Sequence, residues 1–228
     1  MPTSRYRHLI WDWNGTLLDD LDLSIAAMNS LLERRGLPRL DRVRYHALFD
    51  FPVQSYYERL GFDPAVDSFE RLNVEFISAY DARRLESTLH RDARRILSAV
   101  QAAGLRQSIL SAYRHETLLE IVAHFGLTPY FEHIVGLDNI HAHSKVALGR
   151  ALMDRVRVAP AEILLVGDTL HDLEVARALG VACALVAIGH HPAERLRLGE
   201  ATVYPNLGAL ARAEGFTPDP APAAAGPG

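Results

Sequence analysis

Two carboxylates stand where an apolar run gives way to a polar loop. Asp12 follows Leu9, Ile10 and Trp11, and Asp168 follows Ile163, Leu164, Leu165, Val166 and Gly167. In an open parallel sheet, ligands bind beyond the carboxyl ends of the strands, so acids at those ends are delivered to a site. Two of them can converge on one divalent cation, and Asp172, one helical turn past Asp168, can face the same ion. A carboxylate can also attack phosphorus and form an acyl phosphate, splitting one hard displacement into two easier ones, and Asp12 is the candidate nucleophile. Gly15 permits a tight or left-handed backbone, while Thr16 offers a hydroxyl and an N–H to phosphate oxygens. Ser111 ends another strand-like run, and its hydroxyl with the N–H of Ala112 could hold a phosphate oxygen. Lys145, the only lysine in the chain, could neutralise charge on the phosphoryl group and on Asp12. Each residue has a bland reading beside this one. Strand-end acids and threonines cap helices and turns, serines are common at strand ends, and isolated lysines are usually solvated.

These residues need elements to position them. Strand-like runs fall at 7–13, 106–111, 133–136, 163–168 and 182–188, with helical patterns at 93–104, 115–126 and 170–180. Asp92 reads as an N-cap for the first of these helices. Strands alternating with single helices predict an α/β fold with a doubly wound parallel sheet. The alternation breaks after the first strand, with no convincing strand up to residue 92. Ile25, Met28 and Leu32 share a helical face, and 42–50, 53–60 and 67–84 also read as helices, separated by Pro38, Pro52 and Pro64. A long crossover needs only one helix, so a helical lid over the site is the favoured reading. The expected division is a core of 1–18 and 88–216, a helical cap of 19–87, and a disordered Pro/Ala/Gly tail at 217–228. Arg42, Arg44, Tyr56, Tyr57 and Arg83 are cap residues that could reach a ligand. His190 and His191 read as a surface or rim pair, without the third ligand a metal site would want.

Composition narrows the function classes. Of 228 residues, 49% are hydrophobic and 23% charged, an ordinary globular mixture. The net charge of −4 argues against a nucleic-acid or membrane-surface binder. The one cysteine, Cys183, forms no internal disulfide and reads as a buried structural thiol. No apolar run is long enough for a membrane span and no signal-peptide core is visible, so a cytoplasmic protein is expected.

Taken together, Asp12 to Thr16, Ser111, Lys145, and Gly167–Asp168 with Asp172 resemble, in order and spacing, the motifs of the haloacid dehalogenase superfamily. The helical insertion is similar to the family's first cap class, and the branch resembled is the phosphoglycolate-phosphatase-like one. The resemblance implies a Rossmann-like core and Mg²⁺-dependent hydrolysis of a small phosphorylated metabolite through an aspartyl phosphate, by a monomer or homodimer. It implies that Asp12 attacks phosphorus, that Asp12, Asp168 and the main-chain carbonyl of Asn14 hold Mg²⁺, and that Asp172 supports the metal through water. Gly15, Thr16, Ser111, Ala112 and Lys145 would hold the phosphoryl group. One position departs from the pattern: where family phosphatases carry an aspartate that protonates the leaving oxygen and then activates water, this chain has Asn14. An amide has no proton to give at neutral pH, and losing a general acid–base group costs about 10²–10⁴ in rate. Asp19, Asp20, Asp22, His115 or His171 could substitute; the leaving group could need little help; the chemistry could differ; Asn14-Gly15 could deamidate; or the protein could bind a phosphorylated ligand without turnover. Retained metal-type acids disfavour a dehalogenase, and the lack of a cap lysine disfavours a phosphonatase. A receiver-like signalling domain would need a different motif order and no insertion.

Overall fold

The computed structural model describes residues 4–137 and 145–216. In chain order it begins with β1 (His8–Trp11), β2 (Leu18–Asp19), α1 (Leu21–Glu33), α2 (Arg42–Leu48), α3 (Val53–Leu60), α4 (Phe69–Asp81) and β3 (Thr88–Leu89). There follow α5 (Ala93–Ala102), β4 (Arg106–Arg114), α6 (His115–His124), β5 (His133–Leu137), α7 (Lys145–Val156), β6 (Ile163–Gly167), α8 (Leu170–Leu179), β7 (Ala182–Val186), α9 (Ala193–Leu196), β8 (Thr202–Tyr204) and α10 (Leu207–Ala213). Six strands form a sheet in the order β5-β4-β1-β6-β7-β8, every pairing parallel.

β1 lies inside the sheet, between β4 and β6, and all four of its residues are buried. Parallel strands covered on both faces read as unbroken apolar runs, which is what 9–11 and 163–167 are. Alternation along β1 sends Leu9 and Trp11 into a cluster with Ile96, Leu97, Ile121 and Leu210, and Ile10 into another with Leu152, Leu165 and Val175. The register pairs Trp11 with Ile109 on one side and with Val166 on the other. Strand order reverses at β1, so its carboxyl end opens on the crevice where doubly wound sheets bind ligands.

Between β2 and β3 the four helices α1–α4 pack on a cluster of their own, including Met28, Leu31, Leu32, Tyr57, Leu60 and Leu72. Arg35 ties the end of this unit together, donating to Asp67 at 2.8 Å and Glu75 at 3.0 Å. The chain enters and leaves through β2 and β3, which pair antiparallel with Leu18 opposite Leu89.

Several expectations are corrected. The stretch before residue 92 does contain strands, β2 and β3, but each is two residues long and has no period to detect. β8 is a further short strand beyond the five expected. Asp92 does not cap α5: it sits at φ +70° with no capping hydrogen bond from its side chain. Cys183 is half-buried rather than buried, though burial still pushes its thiol up to about 12. The expected tail lies outside the described residues.

Candidate active site

β1 and β6 end side by side, the Asp12 N–H donating to the Val166 carbonyl at 2.9 Å. Asp12 and Asp168 thus leave neighbouring strands together. Asp172 comes back to them from the first turn of α8. That turn is set by a reciprocal cap: the Asp172 carboxylate accepts from the Thr169 N–H at 3.0 Å and from its hydroxyl at 2.7 Å, and the Thr169 Oγ1 accepts from the Asp172 N–H. Oxygens of Asp12, Asp168 and Asp172 lie within 4.8 Å of one another, all buried. Lys145, at the start of α7, donates to Asp12 Oδ1 at 2.5 Å and to Asp172 Oδ1 at 2.6 Å. Thr16 donates its hydroxyl to Asp168 Oδ1 at 2.9 Å and lies 3.3 Å from Asp12 Oδ2.

Three buried carboxylates around one ammonium leave negative charge over. Burial pushes the Asp12 carboxyl up to about 6, against the pull of Lys145, and burial with the neighbouring acids pushes Asp168 up to about 7. Burial would raise Asp172 too, but the Lys145 ammonium and the Thr169 donors hold it below the ordinary value. A divalent cation among hard oxygen ligands fits this surplus. Asp172 accepts from Lys145 and from both donors of Thr169, one bond more than Asp12 or Asp168 accepts from its neighbours. Two glycines make room. Gly15, at φ +75°, and Gly189 both press on the Asp168 carboxylate, and a Cβ at either would collide with it. Ser111 is buried at the end of the regular β4 ladder, whose register with β5 shifts after Leu110, and Ala112 is exposed beside it.

Asn14 answers to a second group of residues. Its amide donates to Asp20 Oδ2 at 2.9 Å and to the Tyr80 hydroxyl at 2.8 Å; Tyr80 in turn donates to Asp20 at 2.8 Å. The Gly15 N–H donates to Asp20 Oδ1 at 2.8 Å. His190 lies with Nε2 3.3 Å from the same carboxylate and Nδ1 2.8 Å from the Tyr45 hydroxyl, and its N–H donates to Asp168 Oδ2 at 2.6 Å. Burial alone would raise Asp20, but His190, Asn14 and Tyr80 bring it down to about 2. Burial would lower His190, but the carboxylates around it lift it to about 9. An aspartate at position 14 would set two carboxylates against each other, so the amide is the side chain this pocket accommodates.

Of the other candidates for the missing acid, one reaches the cavity. Asp19 and Asp22 are exposed, the latter paired with Arg42 at 2.7 Å. His115 begins α6 and is not on the cavity lining, whereas His171 does line the cavity, stacked on Phe51 with ring centroids 4.5 Å apart. The expected rim histidines are not at a rim: His190 is 7% exposed and His191 1%, with His191 Nδ1 accepting from the Leu170 N–H at 3.1 Å. Sequence reasoning missed Tyr45, Tyr80 and His190 as site residues. The adjacent Gly189, forced by its contact with Asp168, is a trace that only coordinates reveal.

Above the carboxylates lies a cavity of about 390 Å³, bounded by Asp12, Asn14, Lys145 and Asp168 below and by α1–α4 residues above. Of the cap residues expected to reach it, Tyr56 and Tyr57 do. Arg42, Arg44 and Arg83 do not; they bond to Asp22, to the Pro38 and Arg39 carbonyls, and to Glu86.

Comparison with known proteins agrees with this geometry. Residues 9–186 match the family model described as haloacid dehalogenase-like hydrolase. The chain is 28% identical over 204 residues to a 5'-nucleotidase of Pseudomonas aeruginosa, covering 88% of this chain and 91% of that one. It is 27% identical over 206 residues to a phosphoglycolate phosphatase of Chromobacterium violaceum, covering 87% and 92%. Among solved structures, a predicted phosphatase from Clostridium acetobutylicum superposes with a TM-score of 0.80 at 19% identity, over 91% of this chain and 97% of the other.

Proposed function

The chain belongs to the haloacid dehalogenase-like hydrolases, and from that premise we propose that it hydrolyses a small phosphate monoester through a phosphorylated Asp12, under a cap formed by α1–α4. The observation that carries this reading is the convergence of Asp12, Asp168, Asp172 and Lys145 at one point beyond the carboxyl ends of β1 and β6. The relatives named as a nucleotidase and as a phosphatase support it.

In this reading Asp12, Asp168 and the main-chain carbonyl of Asn14 would hold Mg²⁺, which would supply positive charge to offset that of the carboxylates and the phosphoryl group. Lys145 orients Asp12 and neutralises charge on it as phosphorus approaches. Thr16 fixes Asp168, and its N–H with that of Ala112 and the Ser111 hydroxyl would form the phosphate cradle; the Gly15 N–H, expected there too, is taken by Asp20. Asp172 holds Lys145 in place. Asn14 orients Asp20 and supplies no proton.

The test uses acetyl phosphate, a small substrate whose leaving group needs no acid. Phosphate release that requires Mg²⁺ and falls to background in Asp12→Asn is the expected result. Equal rates in the variant and the wild type would overturn the reading. Asn14 favours a second reading, a phospho-ligand binder without turnover. It would show as no release from acetyl phosphate together with a rise in melting temperature on adding orthophosphate and Mg²⁺.

A further inference from the structure

The wall of the cavity opposite Asp12 is built of rings. Tyr45 and Phe49 stack at 4.9 Å and 11°, and Phe49 meets Tyr56 edge-on at 5.3 Å and Phe51 at 5.6 Å. Phe76 and Tyr80 of α4 close the far side, their centroids 6.1 Å apart. These contacts hold the rings in place before anything binds.

Polar groups on this wall are few beside the rings, and include Asn73, His171 and the Tyr56 hydroxyl, which is buried without a partner. Lys145 is taken by two carboxylates, and His190 by Asp20 and Tyr45. Arg114, the one arginine on the lining among the described residues, is exposed and donates through Nε to Thr117 at 2.8 Å. The Ser24 hydroxyl is directed at Asp20 at 3.3 Å. Among the described residues a second carboxylate on the substrate would find no buried cation free of a carboxylate partner, and a row of sugar hydroxyls would meet mainly rings, with Asn73, His171 and Tyr56 as polar exceptions. Buried polar groups without partners are costly, so a wall of this kind selects an apolar or aromatic group.

The other half of the inference is chemical. Position 14 carries an amide, and the neighbouring Asp20 is held as a carboxylate by His190, Asn14 and Tyr80. An ester of an alkanol, with an acidity near that of water at about 16, needs a proton delivered as its P–O bond breaks. A phenol, at about 10, leaves as its anion far more readily.

We propose that the ester cleaved here is an aryl phosphate, its phosphate carried on a phenolic oxygen and its aromatic ring packed among Phe49, Phe76 and Tyr80. This rests on the phosphatase reading of the same site. Asp12 attacks phosphorus and forms a P–O bond. The bond from phosphorus to the phenolic oxygen breaks, and its electron pair leaves on that oxygen, which takes a proton from water. Water then adds to phosphorus, its proton passing to the hydroxide left by the first step; the bond to Asp12 breaks with its pair returning to the carboxylate, and the net change is aryl phosphate plus water to phenol plus phosphate. The absence of an acid at position 14 is then a match to the leaving group.

The experiment compares kcat/KM for phenyl phosphate, benzyl phosphate, 2-phosphoglycolate and glucose 6-phosphate on the full chain with Mg²⁺, with acetyl phosphate as the reference for Asp12 chemistry. Benzyl phosphate keeps the ring but leaves as an alkoxide. The expected result is phenyl phosphate ahead of the other three esters by about a hundredfold or more, with Phe76→Ala lowering the phenyl-to-acetyl phosphate ratio about tenfold. Phe49→Ala serves the same purpose should the first variant fold poorly. If acetyl phosphate turns over but benzyl phosphate or phosphoglycolate equals phenyl phosphate, the phosphatase reading stands and the aryl assignment is overturned. An unchanged ratio in both ring variants overturns it as well. Failure of acetyl phosphate and every ester overturns both.

Discussion

Asp12 and Asp168 are carboxylates kept where their charge is disfavoured, which makes them sensitive to pH and to a cation. Their folded values, about 6 and about 7, lie above the unfolded value near 4. The sign follows directly: the folded state holds these protons longer than the unfolded one, so their ionisation subtracts stability as pH rises through that interval. A cation binds only the ionised forms and removes the cost. The expected outcome is a melting-temperature gap between Mg²⁺ and EDTA that is small near about pH 4.5 and widens to a plateau above about pH 7.5. A gap independent of pH in calorimetry would contradict the placement of the cation on these two acids. The individual residues of this cluster were visible in the sequence because strand ends are simple to spot: an apolar run, then an acid. Asp20 was visible only as one acid among several. His190 was misjudged because a pair of histidines after a strand resembles surface sequence, and its burial depends on Tyr45, 145 positions away, reaching over it.

At the scale of elements, the hinge between chemistry and scaffold is the first turn of α8. Thr169 caps the helix and at the same time fixes Asp172, which fixes Lys145. Thr169→Ala removes the cap at a cost of about 1 kcal/mol, measurable as a lower urea midpoint at unchanged slope. The same change frees one side of Asp172, so kcat falls with it; Thr169→Ser restores both. Loss of stability with no change in kcat would separate the cap from the site. The long elements were legible for a definite reason. β1 and β6 are buried on both faces and apolar except for His8, which pairs with Ser108, and α5 and α6 carry one apolar face each. β2, β3 and β8 were not, because two or three residues carry no periodicity and their pairing is decided by the elements that bring them together.

For the molecule as a whole, the cap sits closed on the core through a short set of polar contacts. His46 lies 3.2 Å from the Gly189 carbonyl, Tyr45 bonds His190, and Arg195 of α9 donates to the Phe49 carbonyl and faces Asp50 at 3.9 Å. Arg195→Ala removes one clasp without touching the carboxylates. The expected outcome is faster hydrogen exchange in 42–56 with that of β1 and β6 unchanged; exchange rising everywhere would mean the arginine supports global stability instead. The ring-lined wall could not be read from sequence, since aromatic residues scattered over α2–α4 and their connections share a wall only once the helices have turned towards one another. The insertion itself has a further consequence. Its two ends meet at Leu18 and Leu89, so to the sheet the whole helical block is a single closed loop of about seventy residues. Loop-closure entropy grows only with the logarithm of length, and a block of this size burdens the sheet by about 2.5 kcal/mol more than a four-residue turn would. A scaffold so weakly taxed by what it carries can exchange one block for another, leaving the carboxylates in register while the choice of guest changes completely.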